Sequence, residues 1–154
     1  MNVYGSRQDY KGAYIAVIMK ILDRLDQGLP PLIYGDGSQA YDFVNVVDCA
    51  RANVAAMKAS TTDQFYNVGT GIKTTIRELV YEILEITNLD LEPTFEESGQ
   101  TFVKNRIGCP IKAHEEINYV YTINLREGLK QLIEWRTNHI EQVVKRRKAG
   151  NIYN

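Results

Sequence analysis

The stretch Gly35-Asp36-Gly37-Ser38-Gln39-Ala40-Tyr41-Asp42-Phe43-Val44-Asn45-Val46-Val47-Asp48 decides how this chain is read. It follows the short apolar run Leu32-Ile33-Tyr34, which reads as a strand, and its first three residues make a tight turn. Residues 41–44 read as a second short extended piece. Asn45 is placed to cap a helix over residues 46–58, with Asp48 in the first turn at the positive end of the helix dipole. Ala50, Ala52, Ala55 and Ala56 keep that helix slim, so it can approach another element closely.

Upstream, residues 1–12 are polar and loop-like, and include Asn2-Val3-Tyr4-Gly5. Residues 13–27 read as a helix, with Tyr14, Val17, Ile18, Ile21, Leu22 and Leu25 on one face. Gly28 caps it and Pro30-Pro31 forbid its continuation. Downstream, Phe65-Tyr66-Asn67-Val68 reads as a strand, and Gly69-Thr70-Gly71 as the turn after it. Thr75 and Glu78 form a capping box for a helix that carries Ile76, Leu79, Val80, Ile83 and Thr87 and ends at Asn88. Residues 91–110 are irregular, with short strands expected at residues 94–96 and 102–103. One or two helical turns fall at residues 111–116. Asn124 and Glu127 suggest another capping box, which opens a long stripe of Leu125, Leu129, Leu132, Ile133, Ile140, Val143 and Val144. Helices outnumber strands, and the strands look like pieces of a larger sheet.

The 154 residues suffice for one domain with a sizeable core. A formal net charge of −1 supplies no global attraction for nucleic acid or an anionic membrane. The basic tetrad Lys145-Arg146-Arg147-Lys148 reads as a solvated helix end. The longest apolar run, residues 13–19, is far short of the ~20 residues of a membrane span. Cys49 and Cys109 are too few and too far apart for a metal site or a disulfide framework, which fits a cytoplasmic protein. His114 and His139 are isolated in polar surroundings. Glu96-Glu97 and Glu115-Glu116 are adjacent pairs whose side chains do not converge in a helix or strand. Neither Gly-x-Gly turn completes a dinucleotide fingerprint, since Ala40 and Thr74 stand where a third glycine would be.

Taken in order, seven pieces resemble the second half of the extended short-chain dehydrogenase/reductase family, the NAD-dependent nucleotide-sugar epimerases and dehydratases such as UDP-glucose 4-epimerase. They are Asn2-Val3-Tyr4-Gly5, Gly35-Asp36-Gly37, Tyr41-Asp42-Phe43, Val46-Val47-Asp48, Asn67-Val68-Gly69-Thr70-Gly71, Arg106-Ile107-Gly108 and Gly128-Leu129-Lys130-Gln131-Leu132-Ile133-Glu134-Trp135. Each is weak alone; their shared order and spacing is specific.

The resemblance implies an α/β fold. It would be the C-terminal part of the extended short-chain dehydrogenase fold, mostly helical with short strands, without the N-terminal Rossmann half. Residues 1–149 would be the substrate-binding portion and residues 150–154 a flexible tail. Asn2 would face the diphosphate of a nucleotide sugar, and the backbone from Leu32 to Tyr34 would line the base. Arg106 would reach the phosphate or ribose, a task suited to a guanidinium fork. Tyr41 stands where the family commonly has an arginine on the diphosphate, and a hydroxyl cannot replace that charge. Losing a charged contact of this kind weakens binding by about 1.5–3 kcal/mol. Cys109 departs too, from a place where a small polar or acidic residue is common.

The family's chemistry needs a tyrosine acid/base with a lysine one helical turn later. No tyrosine here has lysine at that spacing, and no Gly-rich strand-to-helix turn is present for a pyrophosphate. The expectation is therefore a UDP-sugar-binding portion with no catalytic, cofactor or metal residues of its own, NAD belonging to the parent family. Its protein partner would be a second copy of itself or a missing N-terminal half, with no nucleic acid and no membrane. A non-enzymatic interaction or scaffold module derived from the same fold is the alternative.

Overall fold

The computed structural model describes residues 1–8, 17–97 and 104–150. Seven short strands and six helices follow one another as β1 (Asn2–Tyr4), α1 (Val17–Asp26), β2 (Leu32–Tyr34), β3 (Ala40–Tyr41), β4 (Phe43–Asn45), α2 (Val46–Lys58), β5 (Thr74–Thr75), α3 (Ile76–Thr87), β6 (Thr94–Glu96), β7 (Asn105–Arg106), α4 (Ile111–Ile117), α5 (Leu125–Asn138) and α6 (Ile140–Gly150). The strands form three small ladders. β1 pairs parallel with β4, and β2 parallel with β6; β3 lies between antiparallel β5 and parallel β7. This α/β architecture is the one expected.

Local chemistry sets the helix ends. α1 closes on Gly28 at φ +70°, whose N–H donates to Leu25 O, while Leu29 N donates to Arg24 O. Asn45 caps α2 by accepting from Val47 N, and Thr75 and Glu78 complete a reciprocal capping box on α3. Asn88 ends α3 in the left-handed conformation. Asn124 caps α5 by accepting from Glu127 N, but the Glu127 carboxylate turns to Gln131 instead of closing the box.

Two expectations are corrected. Residues 65–68 form no strand: they pair with no strand among the described residues, Phe65 is 90% exposed, and the Tyr66 hydroxyl is spent on Thr61 and Glu116. The long C-terminal stripe is two helices. His139 leaves helical geometry (φ −130°, ψ 36°) and stacks on Trp135 at 5.0 Å. The strand expected at 102–103, residues 13–16 of the first helix and the tail 151–154 lie outside the described residues.

The main core joins Ile18, Met19, Ile21 and Leu22 of α1 to Leu79, Val80 and Ile83 of α3 and Leu129 and Leu132 of α5, with Ile33, Phe43 and Tyr4 between them. A smaller cluster packs Ala52 of α2 against Ala113, Ile117 and Tyr119. The opposite side of α2 is bare. Val46, Val47, Val54 and Met57 are exposed there, Met57 to 86%, and Val3 of β1, which pairs with Val44, is exposed as well.

Burial also fixes two tyrosines in the protonated form. Desolvation pushes Tyr4 up to about 12, and Tyr119 likewise to about 12, with the Asp48 charge adding to both. Unfolded tyrosine ionises near pH 10, at roughly its model-peptide value. The raised folded values therefore contribute stability that is complete below about pH 10 and is lost as pH rises toward 12. Ultraviolet titration of the folded chain should show Tyr4 and Tyr119 among the late-ionising tyrosines, in step with loss of helical circular dichroism. Uniform titration of all ten near pH 10 in a still-folded chain would contradict this.

Candidate functional site

An acid inside an otherwise apolar extended stretch must find donors, because a buried charge without them is costly. Asp42, between β3 and β4, is 0% exposed. Its carboxylate accepts from Thr70 N at 3.0 Å, Thr70 Oγ1 at 2.6 Å, Gly71 N at 2.9 Å and Gly108 N at 3.3 Å. Its backbone carbonyl accepts from Asn2 N at 2.8 Å, and its N–H donates to Arg106 O at 2.9 Å. One residue thus joins β1, the 69–71 turn and the segment from Arg106 to Gly108.

Three of the expected site residues meet at this junction. Asn2 is bonded to it directly, Tyr41 precedes it, and Arg106 follows it across the ladder. The register places Thr74, Tyr41 and Arg106 side by side on β5, β3 and β7. Residues in register project from the same face of a sheet, so the row presents two hydroxyls and a guanidinium together. Arg106 is exposed and makes no ion pair among the described residues, whereas Arg51, Arg126, Arg136 and Arg147 are all paired with carboxylates. Tyr41 is half-buried, its ring edge on Phe43 at 6.2 Å.

Leu32 and Tyr34 lie on a different ladder. β2 pairs with β6 on one edge, and its other edge has no strand partner among the described residues. Gln39 Nε2 donates to Tyr34 O at 3.0 Å, which links β2 back to the approach to β3. Ile33 anchors the strand in the core, and Tyr34 is exposed at its end.

Sequence reasoning missed Asp42 as the organiser and Thr74 as the third member of the row. It also read Asp48 only as a dipole partner. Asp48 is instead a second buried clamp, accepting from Thr122 N at 3.1 Å, Thr122 Oγ1 at 2.9 Å and Ile123 N at 3.0 Å, with Arg51 at 3.4 Å. A usable signal was present for the first: Asp42 is the one acid within residues 41–44, and Gly69-Thr70-Gly71 offers consecutive N–H groups. That turn has the makings of a phosphate cradle, but the Thr70 and Gly71 amides are already spent on Asp42. Gly35-Asp36-Gly37 is an ordinary turn in which Asp36 accepts from Ser38 N.

Among the described residues no cluster of His, Cys, Asp and Glu could hold a metal ion, and no helix is long and apolar enough to cross a membrane. Cys109 is exposed; burial pushes the half-buried Cys49 thiol up, and Asp48 adds to that. The exposed guanidinium of Arg106, in register with the Tyr41 and Thr74 hydroxyls, is chemically suited to meeting an anion.

Residues 1–69 match the model of the NAD dependent epimerase/dehydratase family. A UDP-glucose 4-epimerase by provisional assignment, from Methanocaldococcus jannaschii, is 36% identical over 90% of this chain and 44% of its own length. The solved structure of UDP-glucose 4-epimerase with UDP-glucose from Thermotoga maritima is 34% identical, with a TM-score of 0.81 over 90% of this chain and 44% of that one. UDP-N-acetylglucosamine 4-epimerase from Methanobrevibacter ruminantium, solved with UDP-N-acetylmuramic acid, is 28% identical with a TM-score of 0.82 over 89% of this chain and 44% of that one. The chain spans less than half the length of these relatives. It is a partial-length relative of the NAD-dependent epimerase/dehydratase family, built on part of the short-chain dehydrogenase fold.

Proposed function

We propose that this chain is the nucleotide-sugar-binding portion of an NAD-dependent epimerase or dehydratase, and that alone it neither holds NAD nor turns over a sugar. The observation that carries the reading is the Asp42 junction, which gathers Asn2, Tyr41 and the unpaired Arg106 at one place. Asn2 and Arg106 would receive the diphosphate, with the Tyr41 and Thr74 hydroxyls beside them, and the open edge of β2 would receive the base. Two of the similar structures were solved with UDP-sugars, which favours that ligand class. One guanidinium against a diphosphate leaves charge uncompensated, so affinity is expected to be weak. The bare face of α2 and the outer edge of β1 would be covered by a cofactor-binding half, and by a second copy when the chain is alone.

Titration with UDP-glucose by NMR tests this. Weak saturable binding is expected, weakened by a further ~1–3 kcal/mol in Arg106→Ala, the scale of a hydrogen bond to a charged group. Titration with NAD should show none. Light scattering of the same samples should show association that grows with concentration. Unchanged affinity in Arg106→Ala, or micromolar binding of NAD, would overturn the reading. Association without any UDP-sugar binding would favour the interaction module.

A further inference from the structure

Two of the four cations in the tetrad Lys145-Arg146-Arg147-Lys148 turn inward. Arg147 Nη2 donates to Asp23 Oδ1 at 2.8 Å and to Asp26 Oδ2 at 2.9 Å, both on α1. Arg146 Nη1 donates to the backbone carbonyl of Arg7, in the turn that follows β1. Gln8 Nε2 in turn donates to Val3 O at 3.4 Å, tying that turn to β1 itself. α6 therefore grips the chain on both sides of residues 9–16: before them at Arg7, and after them at Asp23 and Asp26.

The grip is built to release. The same two carboxylate oxygens also accept from Arg136 Nη2 on α5, at 2.8 and 2.6 Å. Arg136 is 4% exposed and belongs to the packed body, whereas the Arg147 side chain is 25% exposed. When Arg147 leaves, Arg136 still faces both carboxylates, so departure strands no pair of buried negative charges. Arg147 Nε is buried with no hydrogen-bond partner among the described residues, a cost relieved on opening. His139 supplies the break at which α6 can swing, and Val143, at 1% exposure, is the apolar pin between break and clasp. The pieces are thus a hinge, one pin and a shared ionic clasp.

We propose that α6 is an electrostatic strap that opens locally, and that its closure orders the Arg7 turn and, through it, β1. The role of the basic pair is to hold the chain's own α1 and β1, so the tetrad is not simply a solvated helix end. The inference does not rest on the proposed ligand, because its clasp and hinge lie in residues 7–8, 23–26 and 136–148.

Hydrogen exchange read by mass spectrometry on the full chain tests it, comparing wild type, Arg147→Gln and Asp26→Asn at low and high salt. Exposed clasps weaken as salt screens them. In wild type, raising the salt should speed exchange in residues 140–148 and in the turn after β1. Arg147→Gln should speed the same amides about tenfold at low salt, an effect of ~1.4 kcal/mol on opening, and should abolish the salt response. Amides of residues 79–84 in α3 should keep their wild-type rates in every sample. The strap is refuted if exchange in 140–148 ignores both salt and Arg147→Gln. It is refuted equally if α3 and α6 speed up together, since α6 would then open only with the whole domain. Asp26→Asn separates the clasp from a fault in α6 itself: it leaves α6 unaltered and must still loosen it, and a tight α6 in that variant counts against the proposal.

Discussion

Asp42→Ala is expected to cost about 3–5 kcal/mol of stability, the scale of several buried donors left without their acceptor, and to abolish UDP-sugar binding. The carboxylate serves three backbone N–H groups and one hydroxyl, and alanine would leave all of them facing a small hole. Each orphaned buried donor costs about 1–3 kcal/mol, part of which water entering the hole recovers. Two loops, 69–71 and 106–108, would lose their common anchor, and Arg106 would lose its fixed position. Asp42→Asn keeps the volume and one acceptor oxygen but puts an NH2 donor in place of the other, facing donors, so it should recover less than half of the loss. Thermal unfolding of the three proteins, with the UDP-glucose titration repeated on any that remain folded, gives the comparison. A melting temperature within two or three degrees of wild type for Asp42→Ala, the shift of about 1 kcal/mol at this chain length, would mean that the loops hold themselves.

What could be read in advance sorts by range along the chain. The caps at Asn45 and Thr75 and the stop at Asn88 were legible because donor and acceptor lie within three residues of each other. Leu32–Tyr34 was legible from its apolar run between prolines and a Gly-x-Gly turn. The segment 65–68 has the same local look, yet strand character needs a partner, and no local signal says whether one exists. The stripe through Leu125 and Val144 keeps helical spacing across His139, so periodicity alone could not place the break. Asp42 and Asp48 bond to groups 28 to 75 residues away, and the Arg147 clasp spans more than 120, distances over which single-sequence patterns are silent. The family likeness supplied the candidate residues instead: it named Asn2, Tyr41 and Arg106 individually, and the Asp42 junction brings their backbones into one neighbourhood.

Gly128→Ala should be the most damaging change of a single methyl group. In an ordinary helix interior this substitution stabilises by ~1 kcal/mol, because alanine is the better helix former. In α5 a Cβ at this position would collide with Tyr4 Oη and stand 2.8 Å from Tyr4 Cζ and 2.9 Å from Asn45 Nδ2. Tyr4 is 2% exposed and part of the main core, so its ring has no free volume to enter. Asn45 cannot give way either without releasing its cap on α2. Relief must come from lifting α5 off the β1/β4 ladder, which exposes part of Tyr4 and Leu129, or from strain of about 1–3 kcal/mol or more. The clash exceeds the helix gain, and a net loss of about 2 kcal/mol or more is expected. Because the nearest atom is a hydroxyl oxygen, Tyr4→Phe should relieve part of the damage. In a double-mutant cycle, Tyr4→Phe should therefore cost clearly less in the Gly128→Ala background than in wild type. Urea unfolding of the four proteins measures both terms. Strict additivity, or a Gly128→Ala protein as stable as wild type, would show that α5 stands further from β1 than this packing requires. The functional consequence follows from the ladder itself: β1 carries Asn2 in register with Phe43, so whatever tilts Tyr4 also moves the residue proposed to meet the diphosphate.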